Sequence, residues 1–371
     1  MELSYWEYKT WLTNVDFTIV GSGIVGLSCA LQLKDKYPKS KVLMLERGSL
    51  PQGASTKNAG FACFGSISEL LSDLKTHSEE EVVQLVTKRW SGIQLLRKNL
   101  GDKAIGFEQN GGHELFLEGA TELHEACLDK MYEVNQMLAS VFKNEPFVVQ
   151  PNKFKFGHIK NHYITHLFEG QLDTGKMMQA LLQKCSRAGI SILNGMQVDE
   201  VVDLGKKATV RTSNFAFDSK QVIITTNGFA EKLLKTTKVN PARAQVLITK
   251  PIKNLQIKGT FHLDEGFYYF RNIDNRILLG GGRNLDFEGE KTTEFGQTQR
   301  IQEELEKMLK TIIFPNKEVE IERRWSGIMG VGNQKSPIVR QVSPSIYCGV
   351  RLGGMGIALG SLVGKELADL L

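Results

Sequence analysis

The chain has 371 residues, long for one domain and ample for two, and 41% of them are hydrophobic, enough for real cores. Its formal charge of +5 is spread thinly and no basic block exceeds a few residues, so nucleic acid is not expected as a partner. The five cysteines are scattered, odd in number and lack a C-x-x-C, which argues against a disulfide frame or zinc site and for reduced thiols in the cytoplasm.

Residues 1–13 read as a separate N-terminal segment. Met1 to Asn14 carries Glu2 and Glu7 and no apolar core, so it is not expected to be a signal peptide. Tyr5, Trp6, Tyr8 and Trp11 crowd it, and packing onto the body is the expectation; a membrane-surface or partner anchor is the sharper reading. Phe17-Thr18-Ile19-Val20 then reads as a buried parallel strand. Gly21, Gly23 and Gly26 follow at G-x-G-x-x-G spacing. The first allows a tight turn, the second lets a pyrophosphate approach the backbone, and the third lets the next helix pack closely. That helix opens near Ile24, and its N-terminal amides favour phosphate. Lys41 to Leu45 is a second strand, ended by Glu46, whose carboxylate suits a ribose diol and would repel a 2′-phosphate. Dinucleotide binding follows from strand, glycines, helix, strand and acid in that order. NAD and FAD both fit this unit, and NADP fits less well. Phe17 to Leu33, the longest apolar stretch, is broken by these glycines, so no integral membrane segment is expected.

Gly48 to Ser66 is rich in Gly, Ser, Thr and Asn and nearly free of charge, a loop able to close backbone amides and hydroxyls around a ligand. Ser68 to Gly101 reads as helical, with Glu79, Glu80 and Glu81 at a helix start. Ile105 to Leu117 reads as strands turning at Asn110-Gly111-Gly112, and Thr121 to Phe142 as a helix. His158, His162 and His166 recur every four residues, but Ile159, Tyr163, Ile164 and Thr165 favour strand or loop with the histidines on an exposed edge, and no metal site is expected. Asp173 or Thr174 caps a helix that ends at Ala188-Gly189, and Ile190 to Leu193 is a strand. Pro241 to Lys250 and Phe267 to Arg283 alternate as antiparallel strands. Tyr268 and Tyr269 must then face opposite sides; Tyr268 is favoured as the one lining a site. Arg271 could meet a substrate carboxylate or a structural ion-pair partner.

The unit ending in Leu45-Glu46-Arg47, followed closely by Gly53-Ala54-Ser55-Thr56-Lys57-Asn58-Ala59-Gly60-Phe61, resembles the FAD-dependent D-amino-acid oxidase superfamily. That group includes glycine oxidase, sarcosine oxidase, and amino-acid and polyamine oxidoreductases. The resemblance extends to Trp325-Ser326-Gly327 and to Leu352-Gly353-Gly354-Met355-Gly356-Ile357, and so spans nearly the whole chain. It implies an α/β fold: a Rossmann-like FAD-binding domain (14–80, 160–238 and 324–371) and a second α+β substrate domain built on an antiparallel sheet (81–159 and 239–323). It favours FAD over NAD.

The cofactor contacts it implies are Gly21, Gly23, Ile24, Val25, Gly26, Glu46 and Arg47 in the first unit. Gly53, Ala54, Ser55, Asn58, Gly60 and Phe61 follow in the loop that wraps FAD in the family, then Val198 by the adenine. Asn227 and Gly228 fall by the diphosphate, and Gly327, Gly353, Gly354, Met355, Gly356 and Ile357 at the flavin. The glycine turn at a helix start can stabilise negative charge on the reduced ring. The candidate substrate wall is Tyr268, Trp325, Met329, Arg351 and Met355.

The sequence also departs from the family. Met329 stands where an arginine often pairs with a substrate carboxylate, and the last glycine turn lacks the arginine of glycine oxidase, Arg351 lying just before it. No cysteine lies between Glu320 and Ile338, so non-covalent FAD is expected. The oxygen-activating lysine of the sarcosine oxidase branch falls near Ile277 or Leu278, leaving oxygen or a carrier as electron acceptor. The expected function is oxidation of a C–N bond of an amine or N-substituted amino acid, by hydride transfer to flavin N5. Dehydrogenation of a 2-hydroxy acid with electrons passed to a carrier is the alternative. A non-catalytic or nucleic-acid-associated flavoprotein is the third reading.

Overall fold

The computed structural model describes residues 2–235 and 238–371; Met1, Thr236 and Thr237, which fall in the expected N-terminal segment and nucleotide-binding domain, lie outside the described residues. Apolar runs with no polar alternation make strands buried on both faces, and three of them, Val15–Val20, Val42–Glu46 and Ile346–Val350, lie in the middle of the first eight-stranded sheet, whose outer strands are more exposed. Its main path runs Ile338–Ser343, Ile346–Val350, Ala216–Ile224, Val15–Val20, Val42–Glu46, Ser191–Asn194. Val15–Val20 is central and parallel to both neighbours, Phe17 facing Val42 on one side and Gln221 on the other. The chain leaves its end through Gly21 into the helix Ile24–Lys36.

That helix packs on the C-terminal helix Gly356–Asp369 through small residues. A Cβ on Gly364 would stand 2.6 Å from the Ser28 Cβ, and one on Gly360 2.6 Å from Ile24. The helix Glu79–Leu100 crosses the same C-terminal helix at Gly92, where a Cβ would stand 2.0 Å from the Ala358 carbonyl oxygen. Three helices therefore pack closely on one another beside the first sheet.

The second eight-stranded sheet runs Ile321–Val331, Asn240–Thr249, Arg276–Gly281, Tyr268–Ile273, Thr260–Leu263, Gly112–Glu114, His162–His166, Phe147–Pro151. Its pairs are antiparallel except where Thr260–Leu263 meets Gly112–Glu114. Alternation sorts its faces. Leu247, Phe261, Tyr268, Phe270 and Leu279 pack against Ile301 and Leu305 of the helix Gln299–Met308. Val246, Leu278, Tyr269 and Trp325 pack with Ala59 and Phe61 on the face turned to the first sheet.

Several expectations change. The segment 68–101 is two helices, Ile67–Leu74 and Glu79–Leu100, because Ser78 starts the second with a capping box to Glu81. In 105–117 only Gly112–Glu114 is a regular strand, and Asp102–Ile105 is helical. The strands His162–His166 and Ile321–Val331 belong to the second sheet, so the expected boundaries at 160 and 324 cut across it. His166 is buried rather than on an exposed edge, because His162–His166 pairs on both sides, with Gly112–Glu114 and Phe147–Pro151. Tyr5, Trp6, Tyr8 and Trp11 are all exposed, and the N-terminal segment is held instead by Leu3 and Leu12.

Candidate functional site

A cavity of about 600 Å³ runs from the end of Val15–Val20 to the inner face of the second sheet. Its first wall is the glycine turn. Gly21 has φ +100, and a Cβ there would stand 3.3 Å from the Thr225 carbonyl oxygen. Gly21, Gly23, Ile24 and Val25 line the cavity. Gly26 does not: a Cβ on it would stand 2.2 Å from the Gly21 carbonyl oxygen, so its role is packing the helix on the turn.

Glu46 and Arg47 line the next stretch. The buried Glu46 carboxylate accepts from Ser22 N (3.1 Å), Ser22 Oγ (2.7 Å) and Gly48 N (3.0 Å). Three of its roughly four acceptor positions are thus held by protein. The Arg47 guanidinium lies 3.8 Å over the Phe229 ring. Val198 lines the same end, with Met196 and Gln197.

The loop after Gly48 folds over the turn. Ser55 Oγ accepts from Ile24 N at 3.0 Å and so caps the helix from outside it. Asn58 staples the loop: its amide donates to the Ala54 and Ser55 carbonyls, and its oxygen accepts from Gly60 N and Thr174 Oγ1. Gly53, Ala54, Ser55, Asn58, Gly60 and Phe61 all line the cavity. So does Asn227, whose Oδ1 accepts from the N–H groups of Arg351 and Leu352 and holds Arg351 at φ 65. Gly228 does not line it. A Cβ there would stand 2.4 Å from the Met329 carbonyl oxygen, so this glycine admits a strand rather than a ligand.

The far wall is Gly327, Met329, Gly353, Gly354, Met355, Gly356 and Ile357. Gly53, Gly353, Gly354 and Gly356 share a property: a Cβ on any of them would meet no protein atom within 4 Å. Protein packing does not require these glycines, and the space they leave is cavity.

Two wall assignments are corrected. Tyr268 points into the core of the second sheet, and its neighbour Tyr269 lines the cavity. Tyr269 opposes His262 across the strand pair and meets the Phe61 ring edge-on at 5.5 Å; burial pushes its phenol up to about 12. Trp325 lies behind the loop, its Nε1 donating to the Lys57 carbonyl at 2.9 Å. Arg271 meets no carboxylate. It donates to the Gly60 carbonyl at 3.0 Å and the Leu172 carbonyl at 2.7 Å, and burial lowers its pKa to about 10. Met329, Arg351 and Met355 do line the cavity. Arg351 sits at the rim, donating to the Ser336 carbonyl and Gln334 Oε1.

The sequence reading missed His262, Glu69, Arg89 and Lys335, which also line the cavity. Glu169 lies 3.4 Å from His262 Nε2. Burial pulls the His262 imidazole down, but Glu169, with Glu69 and Glu114, outweighs it and holds its pKa above the ordinary value. Lys335 reaches from the loop after Ile321–Val331 to the buried Asp73. Among the described residues no group of three His, Cys, Asp or Glu side chains is placed to hold a metal, and no helix is long and apolar enough to cross a membrane.

The profile of a family described as "FAD dependent oxidoreductase" (DAO) matches residues 16–370. The chain belongs to this family. It is 24% identical to "Probable oxidoreductase OrdL" of Haemophilus influenzae, over 97% of this chain and 83% of that protein. It is 23% identical to "Gamma-glutamylputrescine oxidoreductase" of Escherichia coli, over 96% and 83% respectively. The fold is similar to glycine oxidase from Geobacillus kaustophilus, with a TM-score of 0.76 at 18% identity, covering 96% of this chain and 94% of that one.

The protein is thus an FAD-dependent oxidoreductase, and its cavity suits the cofactor. A helix N-terminus with a close-approach glycine stands at one end, and a glycine turn with open space before a second helix N-terminus stands at the other. An acid ends the second strand between them.

Proposed function

We propose that this oxidoreductase takes as substrate an amine or N-substituted amino acid and oxidises a C–N bond. The reading rests above all on one observation: near-full-length similarity to a protein named for an amine substrate, gamma-glutamylputrescine. The fold it shares with glycine oxidase supports it. FAD, when bound in this cavity, would supply the two-electron chemistry by taking up the hydride of the C–H beside nitrogen.

The chain's part is to bind, orient and dry the site. The turn at Gly21–Gly23 and the loop Gly53–Phe61 hold the nucleotide half. Glu46 keeps one acceptor position for the ribose, and Gly354 and Gly356 present backbone N–H groups at a helix start, those of Gly353 and Met355 being donated to the Gly330 and Leu352 carbonyls. Phe61, Tyr269, Met329 and Met355 form an apolar wall that excludes water from the reacting carbon. Holding a donor carbon in place against that wall replaces an encounter from solution, the largest entropic gain such a site can make. We take FAD to be held non-covalently, since residues 320–338 contain no cysteine, and electrons to pass to oxygen or a carrier. The five free, buried thiols favour the cytoplasm.

The test is anaerobic reduction of the purified yellow protein. Loss of the flavin band near about 450 nm on adding amines or N-methyl amino acids supports the proposal. Loss only with 2-hydroxy acids would replace it.

A further inference from the structure

The helix Glu79–Leu100 buries one stripe of side chains: Val82, Val86, Arg89, Ile93 and Leu96. Four are aliphatic and the fifth is an arginine only 4% exposed. A guanidinium stays charged at any working pH, and burying it without an anion is costly. Yet among the described residues no carboxylate lies within ion-pair distance of Arg89. Its Nη1 donates to the Phe64 carbonyl, and its Nε is buried with no partner among the described residues. The same side chain lines the cavity.

Its surroundings place it at the substrate end. A Cβ on Gly65 would stand 3.0 Å from Arg89 Nη1 and 3.8 Å from Glu69 Oε2. Glu69 makes no ion pair with Arg89; its carboxylate is turned to the backbone, Oε2 accepting from Ser66 N. Cys63 feels the Arg89 charge and touches Met355, with Sγ 3.8 Å from Sδ, so Arg89 lies beside the wall formed by the last glycine turn.

We propose that Arg89 is the anion anchor of the substrate site, and that the preferred substrate is an amine carrying a carboxylate rather than a simple amine. The proposal rests on the amine-oxidising reading but concerns a separate property, anion binding, that needs no turnover. The guanidinium has donors free for a two-point contact with a carboxylate. It does so from a helix position, while the position after the W-x-G segment is Met329 and Arg351 is engaged at the rim.

The experiment titrates oxidised, FAD-loaded protein with acetate and, as the neutral isostere, acetamide, reading the perturbation of the flavin spectrum. Wild type is expected to respond saturably to acetate and far more weakly to acetamide. Arg89→Met should weaken acetate roughly tenfold to hundredfold and leave acetamide unchanged, the effect of losing one charged contact. Arg89→Lys, which keeps the charge and the reach to Phe64, should fall between the two, and it carries the test alone if the methionine variant does not fold. Equal acetate binding in folded Arg89→Lys and wild type, or no acetate response in wild type, would overturn the proposal. So would loss of FAD affinity in the variants with acetate binding unchanged. If acetate binding depends on Arg89 while no amine reduces the flavin, the anchor stands and the C–N reading fails.

Discussion

Ser55 Oγ lies 3.0 Å from the backbone nitrogen of Ile24 and accepts its hydrogen bond. The first helix of the nucleotide unit has no side-chain cap of its own, its N-cap residue being Gly23. A Cβ on Gly23 would stand 2.9 Å from that same Ser55 Oγ and would push the hydroxyl off the Ile24 N–H. The loop Gly53–Phe61 therefore completes the glycine turn. Ser55→Ala should remove a cap worth about 1 kcal/mol and loosen the loop. FAD affinity is expected to fall roughly fivefold, with a modest loss of thermal stability in the apo protein. Equilibrium dialysis of FAD and apo-protein melting check both, and unchanged affinity would separate the loop from the turn.

The glycines of the two turns divide into those that leave space in the cavity and those that pack the protein behind it, and a pair of substitutions tells them apart. A Cβ on Gly354 meets no protein atom within 4 Å, whereas one on Gly26 would stand 2.2 Å from the Gly21 carbonyl oxygen. Gly354→Val should leave apo stability nearly unchanged and weaken FAD retention, because the new methyls enter ligand space. Gly26→Ala should destabilise the apo fold, by about 2 kcal/mol as overpacking usually does. Urea unfolding of both apo proteins, alongside FAD titration, measures the contrast. Equal apo stabilities would mean that the helix at Gly26 can move aside.

What was legible in the sequence was local. The strand, glycine turn, helix and terminal acid of 15–46 are set by neighbours within a few residues, and they stand as read. Period-two alternation showed that Tyr268 and Tyr269 part company, but which faces the ligand depends on Phe61 and His262, far away in sequence. Trp325 enters the candidate wall through the W-x-G resemblance; its polar edge turns to the Lys57 carbonyl instead. The placing of His162–His166 in the second sheet depends on pairing with residues at 112–114 and 147–151, which no local pattern encodes. Arg89 was readable. It interrupts an apolar stripe at 82, 86, 93 and 96, and counting only the apolar positions hid it.

Arg271 holds the loop rather than a substrate. Its Nη1 donates to the carbonyls of Gly60 and Leu172, bringing together the end of the FAD loop and the approach to the helix Thr174–Arg187. Arg271→Met should leave those buried acceptors short of a donor and cost about 2 kcal/mol in stability. The relative rates with acidic and neutral amines should not change. Thermal melts and a comparison of kcat/KM across the two substrate types check this; a selective loss on acidic amines would return Arg271 to the substrate site.

Buried ionisable groups predict how stability depends on pH. Burial lowers His166 to about 4 and His113 to about 3, and raises Glu114 to about 7. Between about pH 5 and 6 both histidines are neutral in the native protein and largely protonated in the unfolded chain, whose imidazoles titrate near 6.5. Over the same interval Glu114 keeps its proton natively, while an unfolded glutamate has lost it. The unfolded state thus binds two protons more at the histidines and one fewer at Glu114, a net excess of one. Stability should therefore fall as pH drops through this window, by about 1.4 kcal/mol per pH unit. His166→Asn removes one of the two histidine protons and keeps an acceptor for the Phe168 N–H that His166 Nδ1 now takes at 3.3 Å. The remaining histidine and Glu114 then cancel, and the slope should flatten toward zero. Urea unfolding of the two proteins at about pH 5, 5.5 and 6, values set by these pKa limits, decides the matter. Parallel slopes would mean that His166 is protonated in the native protein, held by Glu169 against the aromatic rings of Phe64, Phe142 and Phe147 that surround it.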